Sequence, residues 1–143
     1  MKFHYGVVML ITAAIIAFVT AVAHMSCILL GPECYAAQMA PKEIVESAKQ
    51  GTWLAPVGTT LVSVLFAICG CYALSAAGYI RPLFLLKIGI YFIGSLCIVR
   101  GILGLQLWLR KPELFDTFGI WANWFWFICG LFFILGIRRS TTI

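Results

Sequence analysis

Charge is what this 143-residue chain has least of: Asp, Glu, Lys and Arg together make up 10% of it. Beside 63% hydrophobic and 15% aromatic residues, that scarcity excludes a water-soluble domain, which carries about a quarter charged residues. Intrinsic disorder is excluded too, because disordered segments are rich in charge and poor in aromatics. The only carboxylates are Glu33, Glu43, Glu46, Glu113 and Asp116, and none falls in a long apolar run. A small proton-coupled transporter is expected to hold a carboxylate inside the membrane, so this absence disfavours that mechanism. There are two histidines, His4 and His24, toward opposite ends of the first apolar run. Bis-histidine haem held at one depth within one chain is thereby excluded. A zinc site lacks ligand spacing, since Cys69 and Cys71 would point about 200° apart on a helix. No CxxC pair occurs, which removes the redox centre of a membrane disulfide-generating enzyme. Blocks of Lys and Arg interleaved with aromatics are also missing, so nucleic acid is not an expected partner. No cofactor and no metal is expected.

What is present is apolar length. Mean hydropathy is +1.04, and a membrane helix needs about 20 apolar residues. Three runs qualify without any charge, at about 5–30, 54–79 and 118–137; a fourth, about 83–109, contains Lys87 near one end and Arg100 well inside. The expected fold is an all-α integral membrane protein, a four-transmembrane-helix bundle forming a single membrane domain over 1–143. The first run, with Lys2 before it and Ala21-Val22-Ala23 near its end, imitates a secretory signal. It exceeds the usual signal core of about 7 to 15 residues, so it reads as an uncleaved first helix. Cys27 follows His24-Met25-Ser26 and lacks a lipobox, which argues against lipid attachment there.

Orientation follows from the basic residues near span ends. Lys2, Arg81, Lys87, Arg138 and Arg139 fall on one side; Lys42, Lys49, Arg110 and Lys111 fall on the other, together with all the acids. Five basic residues against four, with the acids neutralising the second side, mark the first side, with both termini, as cytoplasmic, and the net charge of +5 is then mostly an orientation signal. The one sizeable loop, 31–53, lies outside. In it Pro41 suits a first helical position, Gly51 a terminator, and Ile44, Val45 and Ala48 share a face. A short interfacial helix is expected, a connector shielding helix ends more than a lid. Lys42 and Glu46 stand one turn apart, spaced for a charge pair. Of the six cysteines, Cys27 and Cys34 reach the oxidising side, and a disulfide between them is open from sequence. Cys69, Cys71, Cys97 and Cys129 read as small apolar fillers.

Gly94, Gly101 and Gly104 form a small-residue strip on the third span where another helix can approach closely. Polar residues inside spans are the candidates for function, since a charge in lipid is costly. Arg100 lies about 13 Å below the outer end of its helix at 1.5 Å per residue. His24, Asn123, Thr59 and Ser63 fall in the same leaflet, with Trp124 among several tryptophans above them. Together they mark a possible ligand-binding pocket for an anionic lipid headgroup or a quinone carbonyl. The competing role for Arg100 is structural: snorkelling outward to Glu113, Asp116 or lipid phosphate.

At Gly51-Thr52-Trp53-Leu54-Ala55-Pro56, at Gly70-Cys71-Tyr72-Ala73-Leu74-Ser75-Ala76-Ala77-Gly78 and at Lys111-Pro112-Glu113-Leu114-Phe115-Asp116, the chain resembles a family of small four-helix inner-membrane proteins of proteobacteria. The resemblance implies the bacterial inner membrane and four helices, and it brings no activity or site residues. The sequence therefore favours a non-enzymatic accessory subunit or helix-interaction protein, bound to other membrane subunits or to itself. A binder or carrier of lipid or quinone is the alternative. A lipid-modifying enzyme stands third, because no acid and base are paired within the spans.

Overall fold

The computed structural model describes residues 2–140, with side chains from Tyr5 onward; the side chains of Lys2 and His4, invoked above, lie outside the described part. The chain is 85% helical, and no strand occurs among the described residues. In chain order the helices are α1 (Lys2–Leu30), α2 (Pro32–Ala37), α3 (Lys42–Gln50), α4 (Leu54–Ala76), α5 (Leu86–Arg110) and α6 (Thr117–Ser140), with a 3-10 turn at Pro112–Leu114. Four stretches, Tyr5–Leu30 within α1 and the whole of α4, α5 and α6, are long and apolar enough to cross a membrane. The shortest of them, α4, is about 35 Å long against about 30 Å of hydrocarbon. The chain is a multi-pass membrane protein.

Element ends depart from the sequence expectation where side chains intervene. The second span stops at Ala76 instead of running to residue 79, and the third starts at Leu86 instead of 83. The Ser75 hydroxyl is responsible: it donates to the Arg81 carbonyl (2.9 Å) and accepts from the Leu83 amide (3.0 Å), folding the chain before a helix can restart. Tyr72 reinforces the turn by donating to the Phe84 carbonyl at 3.0 Å. The fourth span runs on to Ser140, since Arg138 and Arg139 sit in a last turn whose carbonyl ends favour cations.

The described chain divides into two compact units, one built from residues up to Ile16 with those from Cys69 on, the other from Ala17–Ile68. The first contains α5 and α6, which pack along their lengths, with the start of α1 against the end of α6. A Cβ on Gly6 would lie 2.5 Å from the Ser140 nitrogen, and one on Gly136 would lie 2.8 Å from Leu10 Cγ. Leu10, Ala13, Ile90, Phe133 and Ile137 are its buried core residues.

The second unit is a clasped loop. Cys27 near the end of α1 is bonded to Cys34 in α2, with Cα atoms 5.2 Å apart. Around the buried trio Cys27, Tyr35 and Ala55 pack Ile44, Val45 and Ala48 of α3. The apolar face expected of the outer-loop helix is present, and it lies on the chain's own core. Gly51 ends α3 in the left-handed region at φ 69°, a conformation that costs a residue with a Cβ about 1–2 kcal/mol. Pro41 stands just before α3, at its N-cap, with Lys42 as the first helical residue. Glu46 accepts from Gln50 at 2.9 Å, one turn further along the helix. The six-residue α2, opened by Pro32, has no counterpart in the sequence expectation.

Candidate functional site

In the first unit the site grows out of missing side chains. Gly94, Gly101 and Gly104 all face α6: a Cβ on Gly94 would come within 2.6 Å of Ile134 Cγ1, and one on Gly101 within 2.8 Å of the Phe127 backbone nitrogen. Gly130 answers from α6, where a Cβ would meet the Gly94 carbonyl at 2.7 Å. Backbones this close leave room for a polar side chain where no Cβ intrudes, and at Gly104 that room is filled by the Asn123 carboxamide. Asn123 is only 2% exposed.

Arg100 lies one turn before Gly104 and so projects from a neighbouring part of the same helix surface. Its Nη1 donates to Asn123 Oδ1 at 3.1 Å. Because a guanidinium offers donors only, the amide oxygen is the end of Asn123 that faces it. The other end, Nδ2, is buried without a hydrogen-bond partner. Arg100 itself is exposed, so most of its donor fork stays open.

The hydrogen bond to Asn123 separates this arrangement from a side chain that snorkels freely. Asn123 is six residues into α6, about 9 Å from the helix start, and the guanidinium is bonded at that level. Asp116, offered by the sequence as a snorkelling target, caps α6 by accepting from the Gly119 amide at 2.8 Å. All five carboxylates lie outside the four long helices. Arg100 is thus a cation held at membrane depth whose described side-chain partner is a neutral amide.

The remaining sequence candidates fall elsewhere. His24, Thr59 and Ser63 belong to the second unit. His24 Nδ1 is 2.9 Å from the Thr20 carbonyl; a carbonyl only accepts, so Nδ1 carries a proton. The imidazole also meets the Phe66 ring at 5.2 Å. The Thr59 hydroxyl donates to the Ala55 carbonyl (2.7 Å) and lies 3.0 Å from the Tyr35 hydroxyl. Ser63, one turn on, is buried with its hydroxyl unpartnered. In the first unit, Trp124 is 45% exposed and about 100° around α6 from Asn123. It stands edge-on to Phe127 at 6.4 Å and lines a shallow apolar hollow with Thr117, Ile120, Trp121 and Ile128. The structure therefore joins Arg100 to Asn123, groups Thr59 with Tyr35, and sets Trp124 on its own face.

Two residues that organise the second unit are absent from the sequence reading. Ser47 is buried on the apolar side of α3; its hydroxyl lies 2.5 Å from the Thr52 hydroxyl and accepts from the Ala55 amide at 2.9 Å, capping the first turn of α4 from a distance. The signal for it was a small polar residue beside Ile44 and Ala48. Tyr35, 5% exposed, had no signal beyond its place next to Cys34. Among the other thiols, Cys69, Cys97 and Cys129 converge from α4, α5 and α6, with Cys97 against Cys129 and Arg100 near Cys97. Among the described residues no group of three or more His, Cys, Asp or Glu is arranged to hold a metal.

Comparison with known proteins finds no matching family model, no similar curated protein and no similar solved structure.

Proposed function

We propose that this chain is a non-enzymatic membrane-embedded binding protein, with Arg100 and Asn123 as its point of recognition. One observation carries the reading: a guanidinium bonded to a buried amide at membrane depth, in a chain with no carboxylate in any long helix. Uncompensated charge in lipid is unfavourable by several kcal/mol, so the neutralising group comes from outside the described chain. A lipid or quinone bound in the outer half of the helices would present acceptors to this guanidinium, and an anionic one would also neutralise it, which makes the protein a binder or carrier. The accessory-subunit role, which the sequence alone favours, becomes the second proposal. Its small-residue strip at Gly94, Gly101 and Gly104 is filled by α6, so a partner subunit would have to use another surface.

The setting belongs to the same proposal. The family resemblance at 51–56, 70–78 and 111–116 supports the bacterial inner membrane. The excess of Lys and Arg on the side of Arg81, Lys87, Arg138 and Arg139 supports cytoplasmic termini. A disulfide in the loop that would then face outward agrees with an oxidising compartment there.

Native mass spectrometry of the protein released in gentle detergent, wild type beside Arg100→Ala, tests the reading. A small molecule retained by the wild type and missing from the variant is expected. A bare chain indifferent to the substitution would sink it.

A further inference from the structure

The open part of this site is the exposed guanidinium of Arg100, which only donates. Asn123 Oδ1, the acceptor beside Arg100, is already taken by Nη1. The other polar atom of Asn123 is an N–H buried without a partner and closed to a ligand, and the guanidinium has no acceptor to give. The ligand must therefore bring the acceptors, and it must bring negative charge, since the long helices contain none. A quinone brings acceptors in its oxidised form but no charge. Its carbonyls are neutral and leave the cation uncompensated, and its reduced form needs acceptors for two hydroxyls. A phosphate diester fits: it is anionic, it accepts only, and two of its oxygens match the planar fork of an arginine.

Where the phosphate resides is set by depth. Asn123 lies about 9 Å from the start of α6. Helices α5 and α6 are about 36 to 38 Å long against about 30 Å of hydrocarbon, so about 3 Å at each end stands in the headgroup layer. The Arg100–Asn123 bond is then about 6 Å below the hydrocarbon edge. That is within reach of a long arginine side chain meeting a lipid headgroup drawn slightly inward, whereas free phosphate would have to leave water. A zwitterionic lipid brings its own cation and leaves the site's net charge unchanged.

Resting on the binding reading above, we propose that Arg100, held by Asn123, is a binding site for the phosphate of a net-anionic phospholipid. The quinone branch of that reading is set aside.

The test uses the full chain in bilayers of phosphatidylcholine with one fifth phosphatidylglycerol, with decyl-ubiquinone added, followed by gentle extraction and native mass spectrometry. The wild type is expected to retain phosphatidylglycerol at least tenfold above its bulk ratio to phosphatidylcholine. Arg100→Gln, which keeps a donor for Asn123 but no charge, should fall to the bulk ratio, and Arg100→Lys, a point charge without the fork, should fall between. Should Arg100→Gln not fold, the wild-type enrichment against phosphatidylcholine decides. Decyl-ubiquinone retained in an Arg100-dependent way would overturn the lipid assignment and leave the binding reading standing. So would loss of phosphatidylglycerol on adding millimolar inorganic phosphate, which would make the free anion the ligand. No Arg100-dependent molecule, or a protein subunit alone in its place, would overturn both.

Discussion

A single missing side chain governs the site. Adding a methyl group at Gly104 sets a Cβ into the Asn123 carboxamide, and overpacking of a tight interface costs about 1–3 kcal/mol. Gly104→Ala should therefore lower the unfolding midpoint in detergent and at the same time weaken lipid retention, because Asn123 is displaced from Arg100. Gly58→Ala supplies the control: its Cβ would stand 3.6 Å from Ile44 Cδ1, in ordinary contact, and neither readout should move. Asn123→Leu removes the acceptor of a charged hydrogen bond, worth about 1.5–3 kcal/mol, and frees Arg100 to swing outward. Thermal unfolding together with phosphatidylglycerol retention checks it; a stable variant that still retains the lipid would show that Asn123 does not position Arg100. At this scale the sequence was informative about types and silent about pairs. Arg100 and Asn123 were recognisable as misplaced in apolar runs, but their partnership depends on how α6 is rotated against α5. That rotation is fixed by Gly94, Gly101 and Gly130 together.

Among elements, the loop between α1 and α4 is the most engineered part of the molecule. Its core holds one aromatic, Tyr35, a cystine and a few small aliphatics, so polar links contribute a large share of its order. Ser47→Ala leaves the Ala55 amide without its acceptor and should cost about 1 kcal/mol, as for a lost helix cap. Hydrogen exchange at the first turn of α4 should rise while α5 and α6 are unaffected. Replacing Cys27 and Cys34 by Ser releases a short closed ring, worth about 2.5 kcal/mol on chain-entropy grounds. Protease nicking within 31–53 should appear in that variant and not in the wild type. The α3 helix was legible because Pro41, Gly51 and an apolar stripe bracket it. The α2 helix was not, since six residues give no periodicity to read and its position is imposed by the disulfide and by Gln38, which donates to the Ala23 carbonyl at 3.1 Å. Helix ends at the 77–85 turn were misjudged by three residues each, because hydropathy continues through a turn that Ser75 and Tyr72 tie down with hydrogen bonds.

For the whole molecule, the number of long apolar helices was plain from composition and run length, since nothing but lipid rewards four such stretches in so short a chain. The sidedness of those helices rests on five basic residues against four, which makes it a matter for measurement. With both termini cytoplasmic, a cysteine introduced at Lys42 or Lys49 should react with a membrane-impermeant maleimide added outside intact cells. One introduced at Arg81 should react only after the membrane is opened. The reverse pattern would invert the orientation and place the open fork of Arg100 in the other leaflet.

The bond between Cys27 and Cys34 spans seven residues of sequence, so both partners leave the ribosome together, long before α5 and α6 are made. Its formation needs delivery of that segment to an oxidising space. Each finished molecule therefore carries a chemical record of its own insertion. On the proposed orientation, a copy threaded the wrong way would keep two free thiols, and the ratio of oxidised to reduced pairs on a gel would count correct against failed insertion.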